Sequence, residues 1–118
     1  MMKEAWPTEL RLHDNGTRLS IQFDDASSYD LSAEYLRVES PSAEVQGHSP
    51  AERKTVGGKR AVRIVEVAPV GNYAVRLDFD DGHNTGIYSW AYFAQLGREQ
   101  DAKWAAYLSE LAAKGLSR

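Results

Sequence analysis

The sequence predicts an α+β domain in which antiparallel β-hairpins form a small sheet system covered by two C-terminal helices. Two stretches of period-two alternation each surround a hairpin dipeptide, Asn15-Gly16 and Asp81-Gly82. Helical periodicity is concentrated after Ser89. Strands first and helices last is the order of an antiparallel sheet system with helices gathered on one side.

In the first hairpin, Thr8, Leu10 and Leu12 alternate with polar residues, as do Leu19, Ile21 and Phe23. With Asn15-Gly16 as a two-residue loop, Leu12 faces Leu19, Leu10 faces Ile21 and Thr8 faces Phe23. Turn chemistry and hydrophobic pattern therefore choose the same register. A short third strand is expected over Ser27 to Leu31, after the turn-prone Asp24-Asp25.

Ser32 is placed to N-cap a short helix through Ala33 to Arg37, its hydroxyl accepting from a first-turn amide, and Pro41 ends it. From 40 to 60 no period is visible, and Pro41, Gly47, Pro50, Gly57 and Gly58 punctuate a polar run, which predicts a long mobile loop. Val62, Ile64, Val65 and Val67 make a β-branched run fitting a more central strand, stopped by Pro69.

The second hairpin is the most legible stretch. Tyr73, Val75, Leu77 and Phe79 alternate with Ala74, Arg76, Asp78 and Asp80, and Asp81-Gly82 supplies a two-residue type I′ loop. In that register His83 opposes Asp80, Asp78 opposes Thr85, Arg76 opposes Ile87 and Val75 opposes Tyr88, which leaves Ile87 on the polar face. Ser89 then N-caps a short helix carrying Trp90, Phe93 and Ala94 at helical spacing, with Gly97 as its stop. A second helix is expected from Glu99 to Lys114, with Trp104, Tyr107, Leu108, Leu111 and Ala112 on one stripe and Gly115 closing it.

The 118 residues are expected to form one domain. No apolar run approaches the roughly 18 residues of a membrane helix, and the start, Met-Met-Lys-Glu-Ala-Trp-Pro, lacks the apolar region of a signal peptide. Residence in the cytoplasm and no membrane partner are therefore expected. A net charge of -3 argues against nucleic acid as a partner, since counterion release needs clustered cations. The basic cluster of Arg53, Lys54, Lys59, Arg60 and Arg63 lacks interleaved aromatics and reads as a solvated loop.

The absence of cysteine excludes disulfides, thiol catalysis and thiolate zinc sites. There is no G-x-S-x-G elbow, no P-loop and no G-x-G-x-x-G, and the three histidines are scattered along the chain. Asp78, Asp80, Asp81 and His83 form the densest set of candidate ligands for a hard cation, but aspartates flanking a glycine are also ordinary hairpin-tip chemistry. His13 and His48 read as solvated turn and loop residues. Trp6, Trp90 and Trp104 read as core, with Trp6 ahead of Pro7 as an alternative cap on a sheet edge.

The run from Gly71 to Gly97, with Gly-Asn-Tyr-Ala-Val-Arg, Phe-Asp-Asp-Gly-His, Gly-Ile-Tyr-Ser-Trp and a closing Leu-Gly, resembles the gamma-butyrobetaine hydroxylase N-terminal-like family. The match extends back through Pro7 to Phe23. Leu36-Arg37 followed by Ser40-Pro41-Ser42-Ala43 is similar to the family's Leu-Arg and Cys-Pro-Cys-Ala-x-Cys. The resemblance implies a domain that occurs alone in bacteria, at the N-terminus of carnitine-pathway dioxygenases, or fused to P-loop ATPases that carry iron–sulphur clusters.

In metal-binding members, the resemblance implies, three cysteines of that motif and the turn histidine hold zinc. The matching positions are Ser40, Ser42, Val45 and His83, so three of four ligands lack a thiolate. No resident cofactor, zinc or iron, is therefore expected, and no catalysis either, since the resemblance implies that the dioxygenase chemistry of fused members belongs to a separate catalytic domain. The function expected is that of an accessory, protein-interacting domain linked to iron–sulphur cluster assembly or metal trafficking, its partner an iron–sulphur-carrier P-loop ATPase. The expected contact surfaces are the 40–60 loop and an aromatic edge of Tyr88, Trp90 and Tyr92. Two alternatives are a weak metal site using His83 with Asp80, Glu44 or His48, and a small-molecule enzyme, which would need a polar pocket.

Overall fold

The computed structural model describes residues 5–118, so Met1 to Glu4, on which part of the signal-peptide reading rests, lie outside the described residues. Among residues 5–118, six strands form two three-stranded antiparallel sheets, β1-β2-β3 from Pro7–His13, Arg18–Phe23 and Ser28–Ser32, and β4-β5-β6 from Ile64–Val70, Ala74–Phe79 and Gly86–Ser89. Among the described residues, four α-helices, α1 (Ala33–Val38), α2 (Ala43–Gln46), α3 (Trp90–Arg98) and α4 (Gln100–Ala113), complete an α+β domain in which two helices follow the strands.

The first hairpin has the register its pattern demands, Leu12 opposite Leu19 and Leu10 opposite Ile21. Asn15 at φ 59, ψ 34 and Gly16 at φ 89 adopt the left-handed pair that a type I′ turn requires. Near the open end the ladder slips: Pro7, rather than Thr8, faces Phe23, because an irregularity falls between Pro7 and Glu9. A strand edge tolerates such an extra residue. Trp6 is exposed at this end and exchanges bonds with Asp24, its amide donating to the Asp24 carboxylate at 3.1 Å and its carbonyl accepting the Asp24 amide at 2.8 Å. It therefore lies at the sheet end and not in the core.

The third strand runs one residue later than predicted, to Ser32, whose hydroxyl accepts the Tyr35 amide at 3.0 Å and starts α1. Within the 40–60 segment, expected to be a long mobile loop, short local structure forms. Ser42 caps the single turn of α2, Pro50–Glu52 forms a 3-10 turn, and Val45 is buried. Long-range bonds tie the segment down: Arg53 pairs with Glu39 and Glu110, and the Tyr107 hydroxyl donates to the Val56 carbonyl at 2.7 Å. The Glu110 and Tyr107 anchors come from 57 and 51 positions away and that of Glu39 from 14, separations that local periodicity does not register.

The β-branched run enters β4, but β4 is an edge strand and passes through Pro69 to Val70. An edge position tolerates the missing amide of proline, so Pro69 does not stop the strand. In β5 the alternation holds from Val75 to Phe79, whereas Tyr73 lies outside the strand and is 55% exposed. Ile87 is exposed on the outer face, opposite Arg76, as the pattern required.

Buried Leu19, Ile21, Leu31, Tyr35, Leu77, Tyr88, Phe93 and Leu96 join both sheets, α1 and α3 in one core. Each such side chain contributes roughly 1.5–3 kcal/mol on burial. Ser89 caps α3 by accepting the Tyr92 amide at 3.1 Å. Gly97 does not stop α3, which continues to Arg98. A Cβ on Gly97 would stand 2.3 Å from Cγ of Tyr29, so its glycine lets the helix press onto the ring. Helix α4 ends before Gly115, at φ 68, and its buried stripe is narrower than predicted: Tyr107 and Leu111 are buried, Trp104 is half-buried, and Leu108 and Ala112 face solvent.

Candidate functional site

The β5–β6 turn is where the site takes shape. The loop contains three residues, Asp80, Asp81 and Gly82, rather than two: the Gly82 amide bonds to the Phe79 carbonyl at 3.1 Å and the Phe79 amide to the His83 carbonyl at 2.9 Å. Gly82 at φ 91 supplies the left-handed residue that ends such a turn. His83 thus opposes Phe79, not Asp80, and the extra residue turns its ring to the buried face, where it is 7% exposed and 6.0 Å from the Phe79 ring. Beyond the turn the paired ladder begins at Gly86 opposite Leu77, so Thr85 is free of Asp78.

The other positions come from the chain after α1. Ser40 follows the end of α1 and is fully buried, and its Oγ lies 2.8 Å from Nε2 of His83. The same Oγ accepts the Ser42 amide at 3.2 Å. Ser42 Oγ meets Thr85 Oγ1 at 2.7 Å, and Thr85 donates to the Glu44 carboxylate. The Nδ1 side of His83 faces Glu44 Oε2 at 3.7 Å. In the neutral tautomer protonated on Nδ1, Nε2 accepts from Ser40 and the ring proton points toward Glu44. Ser40, Ser42 and His83 therefore do converge, joined with Thr85 and Glu44 by hydrogen bonds and by the 3.7 Å approach of Glu44 to His83, while Val45 is a buried apolar residue of α2.

Asp81 braces the turn from outside. It accepts the His83 amide at 3.0 Å, Nε of Arg37 at 2.8 Å and Nζ of Lys59 at 2.7 Å. Burial works to raise its pKa, but the bonds from Lys59, the His83 amide and Arg37 prevail and hold it at about 2. Burial, then the positive field of Arg37, pushes the His83 pKa below its ordinary value, and Glu44 and Asp81 oppose this only in part. Asp80 turns away to Arg63, accepting its amide at 3.0 Å, and Asp78 pairs with Arg76 at 2.7 Å. His48 is exposed, with its amide bonded to Glu52. His13 is half-buried, 2.7 Å from Ser20, and not simply solvated.

These residues do not fit a thiolate-type zinc centre. Ser40 and Ser42 offer neutral hydroxyls, Val45 offers no donor, and Nε2 of His83 is spent on Ser40. Of the groups proposed for a weaker site, Glu44 comes near His83, the Asp80 carboxylate is bonded to Arg63, and the exposed His48 is held through its backbone amide by Glu52. No group of three or more metal-ligating side chains occurs among the described residues. The row Ser40–His83–Glu44 has the order of hydroxyl, imidazole and carboxylate found in nucleophilic hydrolases. Yet the hydroxyl is sealed: even a Cβ at Gly86 would stand 2.7 Å from Ser40 Oγ.

The aromatic edge is redrawn. Tyr88 is fully buried, its hydroxyl donating to the Leu36 carbonyl, and so forms no contact surface. Tyr92 is half-buried with its hydroxyl bonded to the Glu39 carbonyl, and Trp90 is half-buried with its indole N–H on the Asn72 carbonyl at 3.0 Å. Tyr73, beside Trp90 through a 3.2 Å backbone bond, is the exposed ring there. Three of the supposedly solvated cations are paired, Arg53 with Glu39 and Glu110, Lys59 with Asp81 and Arg63 with Asp80. Sequence reasoning missed Thr85 and Arg37, whose roles arise from partners about 40 residues distant; no local signal marks them.

A family model described as "Gamma-butyrobetaine hydroxylase-like, N-terminal" matches residues 10–94. Two protein structures solved in solution by NMR are similar at 45% and 44% identity, with TM-scores of 0.84 and 0.83; they cover 98% and 100% of this chain and 91% and 90% of their own. A crystallised protein of unknown function from Acidithiobacillus ferrooxidans, of the DUF971 family, is 41% identical over 77% of this chain and 91% of its own, with a TM-score of 0.64. No curated protein matches the chain.

Proposed function

Because the chain belongs to the gamma-butyrobetaine hydroxylase-like N-terminal family, we propose that it works as a non-catalytic accessory domain that acts by associating with another protein. One observation carries this reading: the side chains with chemical capacity at the candidate centre are bonded to one another, with Ser40 buried against His83 at 2.8 Å. A hydroxyl and imidazole closed in this way hold the α1–α2 connection onto the β5–β6 turn. The work left to the domain is done by its outer surface.

The setting that best suits it is iron–sulphur cluster assembly or metal trafficking in the cytoplasm, with an iron–sulphur-carrier P-loop ATPase as partner, after the fusions found in similar proteins. No helix among the described residues is long and apolar enough to cross a membrane. Affinity capture of the tagged chain from cytosol, followed by reconstitution with the captured ATPase, tests it. Direct binding of the purified pair supports the reading, and repeated capture of no specific partner overturns it.

A second reading, weak metal binding by His83, is favoured by the 3.7 Å approach of Glu44 to Nδ1. Titration with zinc and ferrous iron, followed on the His83 ring signals, separates the two. Signals unmoved at millimolar metal end the second reading.

A further inference from the structure

A separate cavity of about 490 Å³ opens between the end of α1, the 41–53 segment, α3 and α4. Its size lies within the range of small-molecule sites. Four of its lining residues are charged, two acidic and two basic: Glu39, Glu110, Arg53 and Lys103. The walls include the tyrosines Tyr92 and Tyr107.

Glu39 is the distinctive group. Its side chain is 6% exposed, and burial raises its pKa against the pull of Arg53 and Lys103. Arg53 bridges the two carboxylates, reaching Oε1 of Glu39 at 3.1 Å and Oε2 of Glu110 at 3.3 Å. Among the described residues, neither Oε2 of Glu39 nor Oε1 of Glu110 accepts a hydrogen bond. Lys103 stands 3.8 Å from Glu99 and 4.0 Å from Glu39, beyond hydrogen-bond range of either, so its ammonium keeps donors to give.

We propose that this pocket binds a small zwitterion, an amino-acid-like molecule with an ammonium at one end and a carboxylate at the other. The ammonium is received by the free oxygens of Glu39 and Glu110, the carboxylate by Lys103, and the carbon skeleton lies along the tyrosine rings. A simple cation is repelled by Arg53 and Lys103, and a simple anion by Glu39 and Glu110. An apolar ligand strips these groups of water without replacing their bonds. A zwitterion answers both signs at once. The pocket lies apart from the Ser40–His83 network, and the proposal does not depend on the accessory role.

The test is an amide NMR titration of the full chain with glycine, β-alanine, L-leucine and L-glutamine, with ethylammonium and acetate as half-ligands, each to about 10 mM, above the Kd of a millimolar ligand. Saturable shifts at Tyr92, Gln95, Lys103 and Glu110 with at least one zwitterion, and about tenfold weaker binding of both half-ligands, are expected. Lys103→Ala and Glu110→Gln, at positions outside the buried core, are each expected to weaken binding about tenfold while signals elsewhere stay in place. Half-ligands that bind as well as the zwitterions, variants that bind unchanged, or a whole panel that leaves these signals unmoved would overturn the proposal.

Discussion

Ser40 Oγ and His83 Nε2, 43 positions apart in the chain, lie 2.8 Å from one another in a buried contact. The hydroxyl also accepts the Ser42 amide, so one atom joins the end of α1, the start of α2 and the β5–β6 turn. Ser40→Ala leaves a buried imidazole nitrogen and the Ser42 amide without a partner, at an expected cost of about 1–3 kcal/mol. Urea unfolding checks it: the midpoint falls while the slope is unchanged. A midpoint equal to the parent's would show that the bond is not formed in solution.

Acid weakens the fold through two groups of the same turn. His83 has a folded pKa below its unfolded value, so the unfolded chain takes up the proton first, and stability falls as pH drops through the ordinary histidine range. Asp81, ordinarily near 3.8 and held at about 2, contributes stability above its unfolded value that is lost as pH falls from there toward its folded value. This second loss amounts to roughly 2 kcal/mol. Urea midpoints measured from neutral pH down to about pH 2 are expected to show two successive declines, and Asp81→Asn to shrink the lower one, to which Glu44, Asp78 and Asp80, also held below their ordinary values, contribute.

Metal analysis of protein purified without chelator is expected to find no stoichiometric zinc or iron, and added chelator to leave the unfolding temperature unchanged. A thiolate-rich site contributes on the order of 10 kcal/mol to folding when filled, so a structural metal would reveal itself as a large drop on chelation.

Gly97→Ala has an expected sign opposite to helix propensity. Inside a helix the exchange gains up to about 1 kcal/mol. Here the new Cβ stands 2.3 Å from Cγ and 2.5 Å from Cδ1 of Tyr29, and overpacking of this kind costs about 1–3 kcal/mol. Net destabilisation is expected in the variant, and Tyr29→Ala in the same chain should restore the benefit of alanine at 97.

Much of the fold was legible because it is local. The Asn15-Gly16 turn and the alternation on either side independently demand the register of Leu12 with Leu19, and Ser32 and Ser89 sit where helix caps belong. The second turn misled in an instructive way. Asp81-Gly82 suits a two-residue loop, but Gly82 equally closes a three-residue loop, and the difference rotates His83 from the polar face into the core. Pro69, Gly97 and Tyr88 were misplaced for a common reason: an edge position, the close approach of a ring and burial beneath a helix are made by distant chain.

By itself the sequence determined the α+β class, two hairpins, the helix caps and membership of the family, because turn dipeptides, period and caps act over a few residues. Tertiary structure alone decided that Ser40, Ser42, Glu44, Thr85 and His83 close on one another. It also decided that Glu39, Arg53, Lys103 and Glu110 surround a cavity. Hydrogen bonds and ion pairs between residues some 40 to 70 positions apart depend on how the sheets and helices dock, and that docking is set by burial of the shared core, which leaves no mark in local spacing.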